Sequence, residues 1–142
     1  MAIIKPVTAQ EKLAWPRDVI VPLLRAFADA RGAIQPLVDV PMESCVLITS
    51  KKGSVRANHY HRTDWHYCYV LEGAIDYYHR PTGDTRKPAK VLIKEGKMFF
   101  TPPMVDHAMV FRKDTIFLTL SRNSRAQDVY EADVVRIDPI NP

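Results

Sequence analysis

From Ser44 to Leu120 the chain alternates short apolar or aromatic stretches with polar turns, at a spacing of roughly ten residues. Stretches rich in β-branched and aromatic residues run from Ser44 to Thr49, Val55 to His61, His66 to Leu71, Ala74 to His79, Lys90 to Ile93, Lys97 to Thr101, His107 to Phe111 and Thr115 to Leu120. Turn sequences such as Pro81-Thr82-Gly83-Asp84 separate them, and Gly53, Gly73 and Gly96 fall at other breaks. No helical period intervenes. About eight strands of this kind predict an antiparallel barrel or sandwich.

The first thirty residues follow another pattern. Thr8-Ala9-Gln10-Glu11 has the form of a capping box, in which each side chain satisfies a free amide at a helix start. Pro16 limits that helix to a turn or two, and Pro22 interrupts the helix-compatible stretch from Val19 to Ala30. Extended structure is expected from about Leu24 into a turn at Asp29 to Gly32. Residues 1–30 are thus read as a short helical or irregular extension, and 31–142 as the barrel.

Composition narrows the partners. The 142 residues are 46% hydrophobic and 25% charged, which suits one globular domain. Lys and Arg number 20 against 16 Asp and Glu, a formal charge of +4, but the basic residues are scattered rather than grouped, so nucleic acid is not an expected partner. No apolar run approaches the roughly 20 residues that span a bilayer, so no membrane partner is expected. Two cysteines give no disulfide framework, and the opening MAIIKPVTAQEK lacks the apolar core of a secretory signal. A cytoplasmic location is expected.

The histidines are the most informative residues. Four of the five fall in two groups, His59-Tyr60-His61 with His66, and His107 after Pro102-Pro103-Met104-Val105-Asp106. In a strand His59 and His61 share a face, with Val55 and Ala57, while Arg56, Asn58 and Tyr60 point oppositely. A tight turn at Arg62 to Trp65 can bring His66 alongside His61. Neutral imidazoles are preferred ligands of transition metals, whereas three buried rings without a partner would be costly. His107 is the fourth ligand candidate. His79, beside Arg80-Pro81, is read as solvated, Asp64 as a turn residue, and Cys68 as an interior apolar filler.

The spacing resembles the two motifs of the cupins. Gly53, His59, His61, His66 and Gly73 match G-x5-H-x-H-x3-4-E-x6-G with histidine at the glutamate position. Gly96, Pro102, Met104, His107 and Phe111 match G-x5-P-x-G-x2-H-x3-N with Met104 for glycine and Phe111 for asparagine. The resemblance implies an all-β fold, a small antiparallel β-barrel of jelly-roll type. It places His59, His61, His66 and His107 at the four ligand positions for one divalent transition metal, whether zinc, iron, nickel or manganese. With His66 for a carboxylate, the ion would keep its full +2 charge and attract anionic oxygen ligands more strongly.

Two shorter matches concern substrate. Phe27-Ala28-Asp29-Ala30-Arg31-Gly32-Ala33-Ile34 resembles the F-x-D-x-R-G-x-F/I entry of cupins that rearrange nucleotide-linked sugars, and Val55-Arg56-Ala57-Asn58-His59-Tyr60-His61 is similar to V-R-G-N-H-Y-H in cupin domains of capsular polysaccharide synthesis. The expected function is that of a metal-dependent enzyme, an isomerase, epimerase or dioxygenase, acting on a small oxygen-bearing substrate that is sugar-derived or an organic acid. Two alternatives stand beside it. One is a non-catalytic ligand-binding cupin; the other is a nucleotide-sugar epimerase or isomerase using histidine acid-base catalysis, in which the resemblance makes His59 the base. Outward aromatic positions such as Tyr67 and Tyr69 lead to the expectation of a homodimer.

Overall fold

A computed structural model describes residues 3–142. The chain folds into α1 (Ala9–Leu13), β1 (Ile20–Val21), β2 (Phe27–Asp29), β3 (Gly32–Ile34), β4 (Ser44–Ser50), β5 (Val55–His61), β6 (His66–Glu72), β7 (Ala74–Pro81), β8 (Ala89–Lys94), β9 (Met98–Thr101), β10 (Val105–Val110), β11 (Thr115–Ser121), α2 (Gln127–Asp133) and β12 (Val134–Arg136). Ten strands form two five-stranded antiparallel sheets, ordered β1-β9-β6-β11-β4 and β12-β5-β10-β7-β8, and β2 and β3 make a separate hairpin. The fold is all-β, with the strand layout of a jelly-roll barrel.

Alternation along the strands explains the pairing of the two sheets. β11 is buried at every second residue along Thr115, Phe117, Thr119 and Ser121, and β6 likewise at His66, Cys68 and Val70. The facing sheet contributes Ile75, Tyr77 and Ile93 to the same apolar cluster, joined by Phe99, Phe111 and Phe117. These residues fill one part of the space between the sheets. The histidines occupy another.

Gly73 lets β6 reverse directly into β7 at φ +94. A Cβ there would overlap the Thr115 hydroxyl and lie 2.6 Å from the Asp114 carbonyl oxygen.

The expected capping box is present: Thr8 Oγ1 accepts from the Glu11 amide at 3.1 Å, and Glu11 Oε2 accepts from the Thr8 amide at 2.7 Å. Glu11 also accepts from Trp65 Nε1 at 3.0 Å and Arg122 Nε at 2.6 Å, while Arg122 Nη2 donates to the carbonyls of Lys5 and Pro6. The capped turn is thereby anchored to the sheets. The sequence pattern gave no sign of β1, α2 or β12; two of these are strands of two or three residues, too short to display a period.

Candidate functional site

β5 and β10 pair so that His59 stands opposite His107, and the register then shifts between His107 and Ala108, leaving Asn58 without a partner. Ala57 and Asn58 take φ +70 and +54. The strand therefore bulges, and strict alternation fails on its N-terminal side. Arg56, expected to point away from the histidines, instead lines their cavity, and Val55 is 42% exposed. Asn58 turns to the C-terminal segment, where its Oδ1 accepts from the Ile140 amide at 2.9 Å.

The structure brings all four candidate histidines together. His59 and His61 come from β5 and His107 from β10 of one sheet, and His66 comes from β6 of the other. Ring centroids lie 4.7 Å apart for His59 and His61, 4.7 Å for His59 and His107, 5.3 Å for His61 and His66, and 5.9 Å for His66 and His107. Their ligand atoms fall into two overlapping triads, each within 4.8 Å: His59, His61 and His107, and His61, Asp64 and His66. His61 is common to both.

Hydrogen bonds set the ring orientations. His61 Nδ1 lies 2.8 Å from Asp133 Oδ2. Burial opposes ionisation of Asp133, but hydrogen bonds from His61 and from the Thr63 hydroxyl and amide outweigh it and hold the carboxyl at about 2. An ionised carboxylate only accepts, so His61 carries a proton on Nδ1, and Nε2 is the nitrogen left for a ligand. His107 Nδ1 donates to the Val105 carbonyl at 2.9 Å, with the same result. His66 Nδ1 is a buried atom without a hydrogen-bond partner among the described residues, 3.5 Å from Asp64 Oδ2.

Two of the rings, His59 and His107, are held neutral by their surroundings. Burial, then the neighbouring His61 and His66, push His59 down to about 3. Burial, then His59, His61 and His66, push His107 well below the ordinary histidine range. The anionic oxygen missing at position 66 has a counterpart nearby, since Asp64 and Asp133 both touch the cluster and are 7% and 2% exposed. Asp64, read from sequence as a turn residue, does fix the turn by accepting from the Asn123 amide at 2.9 Å, and it also joins the second triad. Sequence reasoning missed Asp133 altogether. It lies 72 residues beyond His61, at the end of an unanticipated helix, with no motif around it.

The cavity beside the histidines measures about 180 Å³, and its wall includes Arg56, Cys68, Thr119, Asn123, Arg125 and Tyr130. Cys68 meets Thr119 Oγ1 at 3.3 Å, and burial pushes its thiol up to about 12, which leaves it protonated. His79 stacks on Tyr77 at 5.4 Å and is absent from the cavity wall.

No protein-family model and no curated protein matches the sequence. Solved structures do match. The QdtA 3,4-ketoisomerase from Thermoanaerobacterium thermosaccharolyticum, as a double mutant in complex with TDP, superposes with a TM-score of 0.65 at 20% identity over 81% of this chain and 84% of its own. The dTDP-4-dehydrorhamnose 3,5-epimerase from Sulfolobus tokodaii gives 0.64 at 21% identity over 80% and 73%. The fold is that of an RmlC-like cupin. Capsular polysaccharide assembling protein CapF from Staphylococcus aureus gives 0.62 at 18% identity, over 84% of this chain and 32% of that one. Among the described residues no helix is long and apolar enough to cross a membrane.

Proposed function

We propose that this cupin is an enzyme that holds one divalent transition metal through His59, His61, His66 and His107 and rearranges a small oxygen-bearing substrate, as an isomerase or epimerase. The observation that carries the proposal is the convergence of four imidazoles, three of which have an outer nitrogen engaged or faced by an acceptor. His61 is backed by Asp133, His107 by the Val105 carbonyl, and His66 by Asp64 across 3.5 Å. Ligating histidines are oriented by such partners, which fix the tautomer and raise ring basicity.

The donor set fits such an ion. Neutral imidazoles suit zinc, iron and nickel, and burial keeps His59 and His107 unprotonated at neutral pH. The unpartnered His66 Nδ1 fits as well: a ring that ligates through Nε2 carries its proton on Nδ1, and Asp64 Oδ2 stands ready to accept it. When bound, a divalent ion supplies Lewis acidity toward a carbonyl or hydroxyl oxygen of the substrate.

Elemental analysis of protein purified without added metal tests the proposal. About one ion per chain is expected, with most of it lost in His61→Ala. Protein free of metal that also fails to take up zinc, nickel or iron would overturn it.

A second reading has its own support. Among the described residues His59 is the one member of the cluster with no hydrogen-bonded or acidic partner behind it, and the matched ketoisomerase and epimerase structures are those of sugar-modifying enzymes. In that case His59 acts as base on a nucleotide-linked sugar and the metal is dispensable. Full turnover after exhaustive chelation would select this second reading.

Homodimerisation is part of the proposal. Phe27 and Ile34 pair across the separate β2-β3 hairpin and are 62% and 69% exposed, an apolar pair that the described chain does not cover. Light scattering should give twice the 16.2 kDa chain mass, and a monomer at micromolar concentration would overturn that part.

A further inference from the structure

Two guanidinium groups stand on the wall of the histidine cavity, and among the described residues neither meets a carboxylate. Arg56, beside the β5 bulge, borders the cavity from an exposed position, where its Nε donates to Ser50 Oγ at 2.7 Å and its Nη2 to the Thr49 carbonyl at 2.9 Å. That leaves Nη1 without a protein acceptor among the described residues. The central carbon of Arg125 lies over the Tyr130 ring, 3.6 Å from its centroid, and among the described residues the guanidinium makes no hydrogen bond. Tyr130 in turn packs edge-on against His61 at 6.1 Å. Neighbouring arginines are engaged differently: Glu11 holds Arg122, and Glu131 holds Arg136.

The acidic groups at the cavity are already satisfied. Asp133 accepts from His61, Thr63 and the Asp64 amide, and Asp64 accepts from the Asn123 amide. Neither forms an ion pair with Arg56 or Arg125.

We infer that the substrate of this site is a compact organic acid whose carboxylate is taken by Arg125 and Arg56 while its reacting oxygen faces the histidines. The inference rests on the site assignment above and narrows it to a substrate class. A guanidinium offers parallel N–H donors that match a carboxylate edge-on, and here the contact with Tyr130 and the bonds to Ser50 and Thr49 restrict two otherwise exposed groups before any ligand arrives. Size points the same way. A cavity of about 180 Å³ is smaller than the roughly 300–1,000 Å³ of sites for drug-sized ligands, which suits a short acid better than a nucleotide. Arg125 and Arg56 are specificity residues in this account, separate from the residues that hold the ion.

Calorimetric titration of zinc-loaded protein with malonate, inorganic phosphate, glucose and thymidine diphosphate tests the inference, with bound zinc counted in every sample. Malonate should bind, glucose should not, and Arg125→Gln and Arg56→Gln should each weaken malonate binding about tenfold or more while the zinc count stays unchanged. Preferential binding of phosphate or thymidine diphosphate would overturn it, as would malonate binding that both substitutions leave intact. A zinc count near zero in the parent protein would overturn the metal assignment instead. Arginine-dependent malonate binding to that metal-free protein would still uphold the substrate class, and its absence would overturn it.

Discussion

Acidification should destabilise the metal-free protein well above the pH at which carboxylates titrate. The cause is His59 and His107, whose folded-state affinities for protons are depressed by burial and by the other rings. In the unfolded chain a histidine titrates near 6.5, so below that pH the unfolded state binds more protons than the folded state and stability falls. The contribution is fully present above about 6.5 and is lost as pH drops toward the folded value. For His59, with a folded value of about 3, the loss between pH 7.5 and pH 5 comes to about 2 kcal/mol at 1.36 kcal/mol per unit. His107 adds to it with the same sign. Against a total stability of about 5–15 kcal/mol this is a large fraction. Urea unfolding in chelator, followed by Trp15 and Trp65 fluorescence, should show the midpoint falling by about 1 M or more over that range. A midpoint that is flat or rises from pH 7.5 to pH 5 would refute the argument.

Other consequences are local. Asp133→Asn removes the ionised acceptor behind His61 and should weaken zinc binding about 10- to 100-fold in a competition titration. It should also lower stability by about 1–3 kcal/mol at neutral pH, since four donors face this carboxyl. Because the folded Asp133 value of about 2 lies below the ordinary 3.8, that part of the stability is present above about pH 4 and is lost toward pH 2, a window distinct from that of the histidines. Gly73→Ala sets a Cβ against Thr115 and the Asp114 carbonyl at φ +94, and should cost about 3 kcal/mol or more, seen as a thermal midpoint lowered by roughly 10 °C or as insoluble expression. Ala57→Gly relieves a positive φ of +70 in the β5 bulge and should leave the thermal midpoint unchanged or raise it by a few degrees, corresponding to about 1 kcal/mol or less.

Among the eight central strands, β4, β6 and β11 alternate in burial, which writes a period of two into the sequence, while the others were legible from β-branched and aromatic residues between turns. The glycine positions were legible for a backbone reason. The two places where this chain departs from a motif glycine, Ala57 and Met104, still take φ +70 and +59, so the turn geometry is kept at the cost of local strain. Parity misled at Arg56 because the bulge adds a residue that sequence alternation cannot register. Asp133 and Arg125 were invisible for a different reason. Their roles arise from folding β12 and α2 back beside β5, contacts across some 70 residues that no local pattern encodes.

X-ray absorption at the metal edge, on protein loaded with zinc at neutral pH, tests the shared role of the four rings most directly. About four nitrogen neighbours near 2.0–2.1 Å with the outer-shell scattering of imidazole are expected, and one fewer imidazole in His66→Ala. A first coordination sphere of oxygen without imidazole scattering, or one that His66→Ala leaves unchanged, would contradict it.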